Sequence, residues 1–191
     1  MFDVVTIAGS PAAPSRCSAA LDAARTVLER RGLATAAINL RDFPPEALLW
    51  ANFDDPAVRN ATNLVAQAHV VIVATPVYKA SYSGVLKTFL DLLPTGVLTD
   101  KGVLPISTAG SLAHCLVLEY ALKPVLSALG AATFLPGVCL LDGDFVREGE
   151  RIRYREELAD TRLLRALDAV EQDVLHRRSH AAVAPLLEIA V

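Results

Sequence analysis

Cysteine is scarce: Cys17, Cys115 and Cys139 are an odd set with no CxxC pair in 191 residues. A disulfide framework and a thiol zinc site are therefore disfavoured, no metal is expected, and the three thiols read as small hydrophobes. Long apolar runs are missing as well. Although 53% of the residues are hydrophobic and the mean hydropathy is +0.39, charges or turn residues interrupt every apolar run. None reaches the roughly 20 residues that span a bilayer, so a soluble protein with no membrane role is expected. "MFDVVTIAGS" has no basic stretch before its apolar segment, which reads as a first strand rather than a signal peptide and implies a cytoplasmic location. A net charge of −3 gives no general attraction to nucleic acid. The expected partner is a small molecule or another protein.

What is present is a rhythm. Asp3 to Ala8 reads as a β-rich run, and Cys17 to Arg31 as a helix closed by Gly32. Thr35 to Leu40 follows as a second strand, then an irregular stretch around Pro44 and Pro45, then a helix from Pro56 to Ala68 capped by Asp54 or Asp55. "HVVIVATP" is the clearest strand, and its unbroken branched residues indicate burial on both faces. "GVLKTFLDLL" fits a helix, "GVLPIST" a fourth strand, "LAHCLVLEYALKPVLSAL" a long helix and "ATFLPGVCLL" a fifth strand. Gly143 to Arg155 reads as a loop or short hairpin, and Glu156 to Arg177 as a last helix. Strands alternating with helices predict an α/β three-layer sandwich around a five-stranded parallel sheet of order 2-1-3-4-5, in one domain over 1–178 with a carboxyl-terminal tail over 179–191.

Ligands of such sheets sit beyond the carboxyl ends of the strands. Three loops should meet there: "GSPAAPSRCS", "TPVYKASYSG" and "STAGSLAH". In the first, Gly9 permits a tight exit, Ser10, Ser15 and Ser18 offer hydroxyls, Arg16 offers charge, and the amides opening the next helix point at the bound group. A phosphate fits; a plain Ser-rich helix cap is the alternative. No Gly-Lys-Ser/Thr of a Walker loop follows, nor is there a GxGxxG, which favours a single phosphomonoester over a triphosphate. In the other loops Pro76, Tyr78 and Gly84 face the small residues of "STAGS", and such walls suit a planar ring.

The blocks "AGSP…PSR.S", "VATPVYKASYSGVLKTFLDLLP", "G…AH" and "YALKPVLSAL" resemble the NADPH-dependent FMN reductases of flavodoxin-like fold, and among them the alkanesulfonate-type reductases of two-component monooxygenase systems. The resemblance covers about residues 4 to 140. It implies reduction of FMN to FMNH2 by NADPH, with the reduced flavin passed to an FMNH2-dependent monooxygenase of sulfonate sulfur metabolism. Position by position, it implies that Ser10, Ser15, Arg16, Cys17 and Ser18 hold the FMN phosphate. Pro76, Val77, Tyr78 and Lys79 would line the isoalloxazine edge, with Thr108, Gly110 and Ser111 opposite. Ala12 departs from the pattern, since a basic residue is expected there, and this shifts phosphate charge compensation toward Arg16. No catalytic acid–base group is implied, because hydride passes directly between the cofactors. His114 beside Cys115 lacks a second ligand cluster or a triad partner.

Pro124 carries no amide hydrogen, so an α-helix through it leaves the carbonyl of Tyr120 without its usual donor. A kink or a π-bulge is expected there. The resemblance favours the bulge, with Tyr120 at a subunit interface of a homo-oligomer, a tetramer built from dimers, and serving flavin exchange. Two other readings stay open: an FMN-retaining quinone, azo or metal-ion reductase on the same scaffold, and a nonenzymatic flavodoxin-like electron carrier or binding module.

Overall fold

A computed structural model describes residues 2–155 and 162–187, with the side chains of 180–187 left aside. Strands β1 (Val4–Ala8), β2 (Thr35–Asn39), β3 (Val70–Pro76) and β4 (Gly102–Ala109) pair in parallel in the order β2-β1-β3-β4. Every residue of β1, β3 and β4 is buried. Alternation along these strands divides their side chains between two faces. Val5, Ile7, Val71, Val73 and Val103 meet one helical layer, which includes α3 (Pro56–Gln67) and α4 (Gly84–Leu90). Val4, Val70, Ile72, Leu104 and Ile106 meet the other, formed by α1 (Arg16–Arg30) and α6 (Arg162–Leu187). The result is the expected three-layer α/β sandwich.

Local chemistry sets the helix ends. Ser15 caps α1 by accepting from the Ser18 N–H, while Gly32, at φ +80°, turns the chain out of the helix as Leu33 N–H reaches back to Leu28 O at 3.1 Å. Asp55 caps α3, with Pro56 in its first turn. At the sheet's amino end the buried Asp3 carboxylate accepts from Ala34 N–H at 2.7 Å and from two Arg178 nitrogens at 2.6 and 2.8 Å. That bidentate pair fastens α6 to β1, far from the loops of interest.

Three departures from the sequence reading have local causes. The stretch after β2 contains a short helix α2 (Pro45–Leu49), because Pro45 sits in a first turn, where its missing N–H is harmless. The single fifth strand is two pieces, β5 (Thr133–Phe134) and β6 (Val138–Leu141), both parallel to β4 and separated by a segment containing Pro136 and Gly137. The long helix after β4 is likewise broken. A 3₁₀ turn at Leu112–His114 precedes a π-helical segment at Leu118–Leu122, and only Lys123–Ala128 is α-helix, α5. The Lys123 N–H donates to Leu118 O, five residues back, so the distortion expected from Pro124 takes the π form. The polar stretch after β6 folds as an antiparallel hairpin of β7 (Phe145–Glu148) and β8 (Arg151–Tyr154). Of the last helix expected from Glu156, residues 156–161 lie outside the described residues; from Arg162 the helix runs through Leu187.

Candidate active site

The loop leaving β1 is held before any ligand arrives. Gly9 N–H donates to Ala74 O at 2.8 Å, and a β-carbon at Gly9 would stand 2.9 Å from that oxygen and 3.0 Å from Leu86 Cβ. No larger residue fits unless β3 or α4 moves. Ser83 locks the same corner: its buried hydroxyl donates to Gly9 O and accepts from Leu86 N–H at 3.2 Å, capping α4, while its own N–H donates to Thr75 Oγ1 at 3.0 Å. One serine thus joins the β1 loop, the β3 exit and the start of α4.

Beyond Gly9 the chain presents Ser10, whose Oγ accepts from Ala12 N–H at 3.2 Å, and Ser15, whose Oγ accepts from Ser18 N–H at 3.4 Å. Arg16 and Cys17 then open α1, where amides have no carbonyl within the helix to bond. The Arg16 guanidinium is ion-paired with Asp142, the residue that follows β6. The Cys17 thiol lies buried 3.4 Å from Thr108 Oγ1, and burial pushes its pKa from 9.0 up to about 11, although the Thr108 contact opposes the rise. It stays a neutral thiol near pH 7. The second wall comes from β3, where Val77 N–H donates to Thr108 O at 3.0 Å. There Tyr78 and Ser81 close a tight turn with paired backbone bonds of 2.8 and 3.0 Å. Its two central residues, Lys79 and Ala80, are both left-handed, at φ 50° and 61°. Such a backbone is uncommon for residues other than glycine, asparagine and aspartate.

These elements enclose a cavity of about 460 Å³ at the carboxyl edge of the sheet. Of the residues singled out in the sequence, Ser10, Ser15, Arg16, Cys17, Pro76, Val77, Tyr78, Thr108 and Gly110 line it. Ser18 borders the adjoining groove and engages Ser15, while Lys79 and Ser111 are not part of the cavity lining. Lys87 turns elsewhere, bonding Asp91 at 2.6 and 2.7 Å. Tyr120 is 79% exposed, with Leu112 and Leu116 exposed nearby in sequence.

Sequence reasoning missed the roof. Phe145, Val146, Arg147 and Ile152 of the hairpin, with Asp142 at its approach, complete the cavity wall. A signal was available in "DFVREGERIRY", where Phe145, Ile152 and Tyr154 punctuate charged residues around Gly149. Phe145 and Tyr154 meet edge to face across β7 and β8 with centroids 5.8 Å apart.

Residues 2–145 match the family model described as NADPH-dependent FMN reductase. The chain belongs to that family. An FMN reductase (NADPH) of Escherichia coli strain K12 is 49% identical over 175 residues, spanning 92% of this chain and 91% of the relative. Another FMN reductase (NADPH), from Pseudomonas putida strain KT2440, is 47% identical over 181 residues, 95% of this chain and 88% of its own length. Among solved structures, the apo form of an NADH:FMN oxidoreductase (EMOB) superposes with a TM-score of 0.77 at 32% identity, covering 92% of this chain and 90% of that one. In this NADPH-dependent FMN reductase family member the family match stops at Phe145, the first residue of β7. No helix among the described residues is long and apolar enough to cross a membrane.

Proposed function

We propose that this protein is an NADPH-dependent FMN reductase that takes up free FMN, reduces it and releases FMNH2 to a monooxygenase of sulfonate sulfur metabolism. The observation that carries the reading is the cavity itself: one end is built from serine hydroxyls, a helix start and Arg16, and the other from Tyr78 and small β4-loop residues. The residues present fit FMN. A phosphomonoester requires a cation and convergent N–H donors at one end of the site, and the flavin ring requires flat, largely apolar walls at the other.

When bound, FMN supplies the ring that accepts hydride from NADPH, and the protein's own task is orientation. Ser10, Ser15 and Ser18 with the amides of Arg16 and Cys17 hold the phosphate, and the Arg16 guanidinium offsets its charge. Pro76, Val77 and Tyr78 set the ring edge from one side, while Thr108 and Gly110 bound it from the other. Cys17 contributes its backbone; its thiol, buried against Thr108 and raised to about 11, is not an acid–base group at neutral pH. Tyr120, exposed on the π-helical turn beside Leu116, belongs to a subunit interface of a tetramer built from dimers and serves flavin exchange.

Steady-state NADPH oxidation with varied free FMN tests the reading. Saturable dependence on added FMN, with flavin exchanging during turnover, is expected. A rate independent of added FMN, carried by flavin that never leaves the protein, would overturn the free-flavin mechanism; absence of NADPH oxidation would overturn the enzyme assignment.

A further inference from the structure

The phosphate corner holds a charge that a phosphate site does not need. Arg16, the cation of the β1 loop, already has a partner in Asp142, and both residues line the cavity. The pair is accessible rather than buried, with 36% of the Arg16 side chain and 66% of the Asp142 side chain exposed to solvent. Asp142 is not needed to shape its own turn. That work falls to Asp144, whose Oδ2 accepts from Leu141 N–H at 2.7 Å and from Arg162 Nη2 at 3.2 Å. The next cation beside the loop, Arg41, is held on backbone, donating to Pro11 O at 2.7 Å, and faces the adjoining groove rather than the cavity. Position 12 is alanine, and Arg147, the other cation on the cavity wall, stands on the hairpin with its Nε bonded to Gly149 O at 3.3 Å.

We propose that Asp142 is a resident competitor for Arg16, set to weaken the hold on the flavin phosphate so that FMN stays exchangeable. This rests on the loop being the FMN phosphate site. An accessible ion pair is weak, so a phosphate dianion that also collects helix-start amides displaces Asp142. The displaced carboxylate remains at the cavity wall and repels the phosphate that replaced it. Both effects act on the phosphate alone. They lower affinity for FMN, speed its release, and leave riboflavin, which has the same ring and no phosphate, unaffected.

Fluorescence-quenching titrations of FMN and riboflavin with wild type, Asp142→Asn, Asp142→Ala and Arg16→Ala test this, with FMN release followed by stopped flow. Both Asp142 variants should bind FMN about fivefold more tightly, the size of one accessible charge contact, with slower release and riboflavin binding changed less than about twofold. Arg16→Ala should weaken FMN more than riboflavin. If Arg16→Ala does so while the Asp142 variants bind FMN no more tightly than wild type, the phosphate site stands and the competitor is refuted. Equal tightening of both flavins would also refute it, because Asp142 would then act through the hairpin roof. If Arg16→Ala affects both flavins equally, the phosphate site itself is wrong and the competitor falls with it.

Discussion

Replacing Ser83 with alanine should damage both the fold and the flavin loop, by an amount that follows from its bonds. The hydroxyl caps α4 at Leu86 N–H and supplies a donor to the Gly9 carbonyl in a fully buried corner. Losing a serine cap costs about 1 kcal/mol. Leaving a buried carbonyl without its donor adds about 1–3 kcal/mol. The sum is about 2–4 kcal/mol, and because a domain of this size loses roughly 2–4 °C per kcal/mol, the melting temperature should fall by about 9 °C. The assay is thermal unfolding of flavin-free protein, since bound ligand adds its own stabilisation. FMN affinity should fall in the same variant as the loop loosens. A melting temperature within about 1 °C of wild type would refute the reasoning, showing that water or a relaxed backbone satisfies Gly9 O and the α4 terminus equally well.

Ala80→Gly should stabilise the protein by about 0.5–1 kcal/mol, because Ala80 holds a left-handed φ of 61° that glycine adopts freely; chemical denaturation reads this, and a loss of stability would count against strain in the Tyr78–Ser81 turn. Cys17 should make stability pH-dependent in the alkaline range. Its folded pKa is raised by burial from 9.0 to about 11, so the unfolded chain loses the proton first; the contribution is complete below pH 9 and disappears toward pH 11. The stability difference between wild type and Cys17→Ala should therefore shrink by about 2–3 kcal/mol across that window, and a constant difference would show that the thiol is not desolvated as described. Deleting Tyr120 removes one residue from the π segment Leu118–Leu122 and permits regular α-helical register. The purified variant should retain FMN, visible by its absorbance, and lose NADPH oxidation with free FMN; wild-type turnover and release would reduce Tyr120 to a packing residue.

The fold was legible wherever one physical rule dominated a segment. Unbroken branched residues in β3 announced a strand buried on both faces, and Pro124 announced the broken helix that became the π turn at Leu118–Leu122. Pro45 was ambiguous, since the feature that bars it from a strand suits it to the first turn of α2. In the candidate site, the serines and Arg16 were legible because a strand, a tight exit and a helix start fall within one short stretch. The roof was not. Phe145 and Ile152 reach the cavity only because a hairpin brings back a segment that is mostly charged in sequence. Nor does spacing show that Asp142 meets Arg16, because their contact depends on β6 lying beside β4 with its end at the cavity. Ser83 reads in sequence as a helix cap, and its bond to Gly9 O depends on how β1 and β3 sit side by side.

The central claim is that the cavity at the carboxyl edge of the sheet is a flavin mononucleotide site anchored by its phosphate. Dissociation constants of FMN and riboflavin for the wild-type protein, measured side by side by fluorescence quenching, test it most directly. With Arg16, the serine hydroxyls and the α1 amides engaging the phosphate, FMN should bind at least about tenfold more tightly, the size of one charge-assisted hydrogen bond. Equal constants for the two flavins would contradict it.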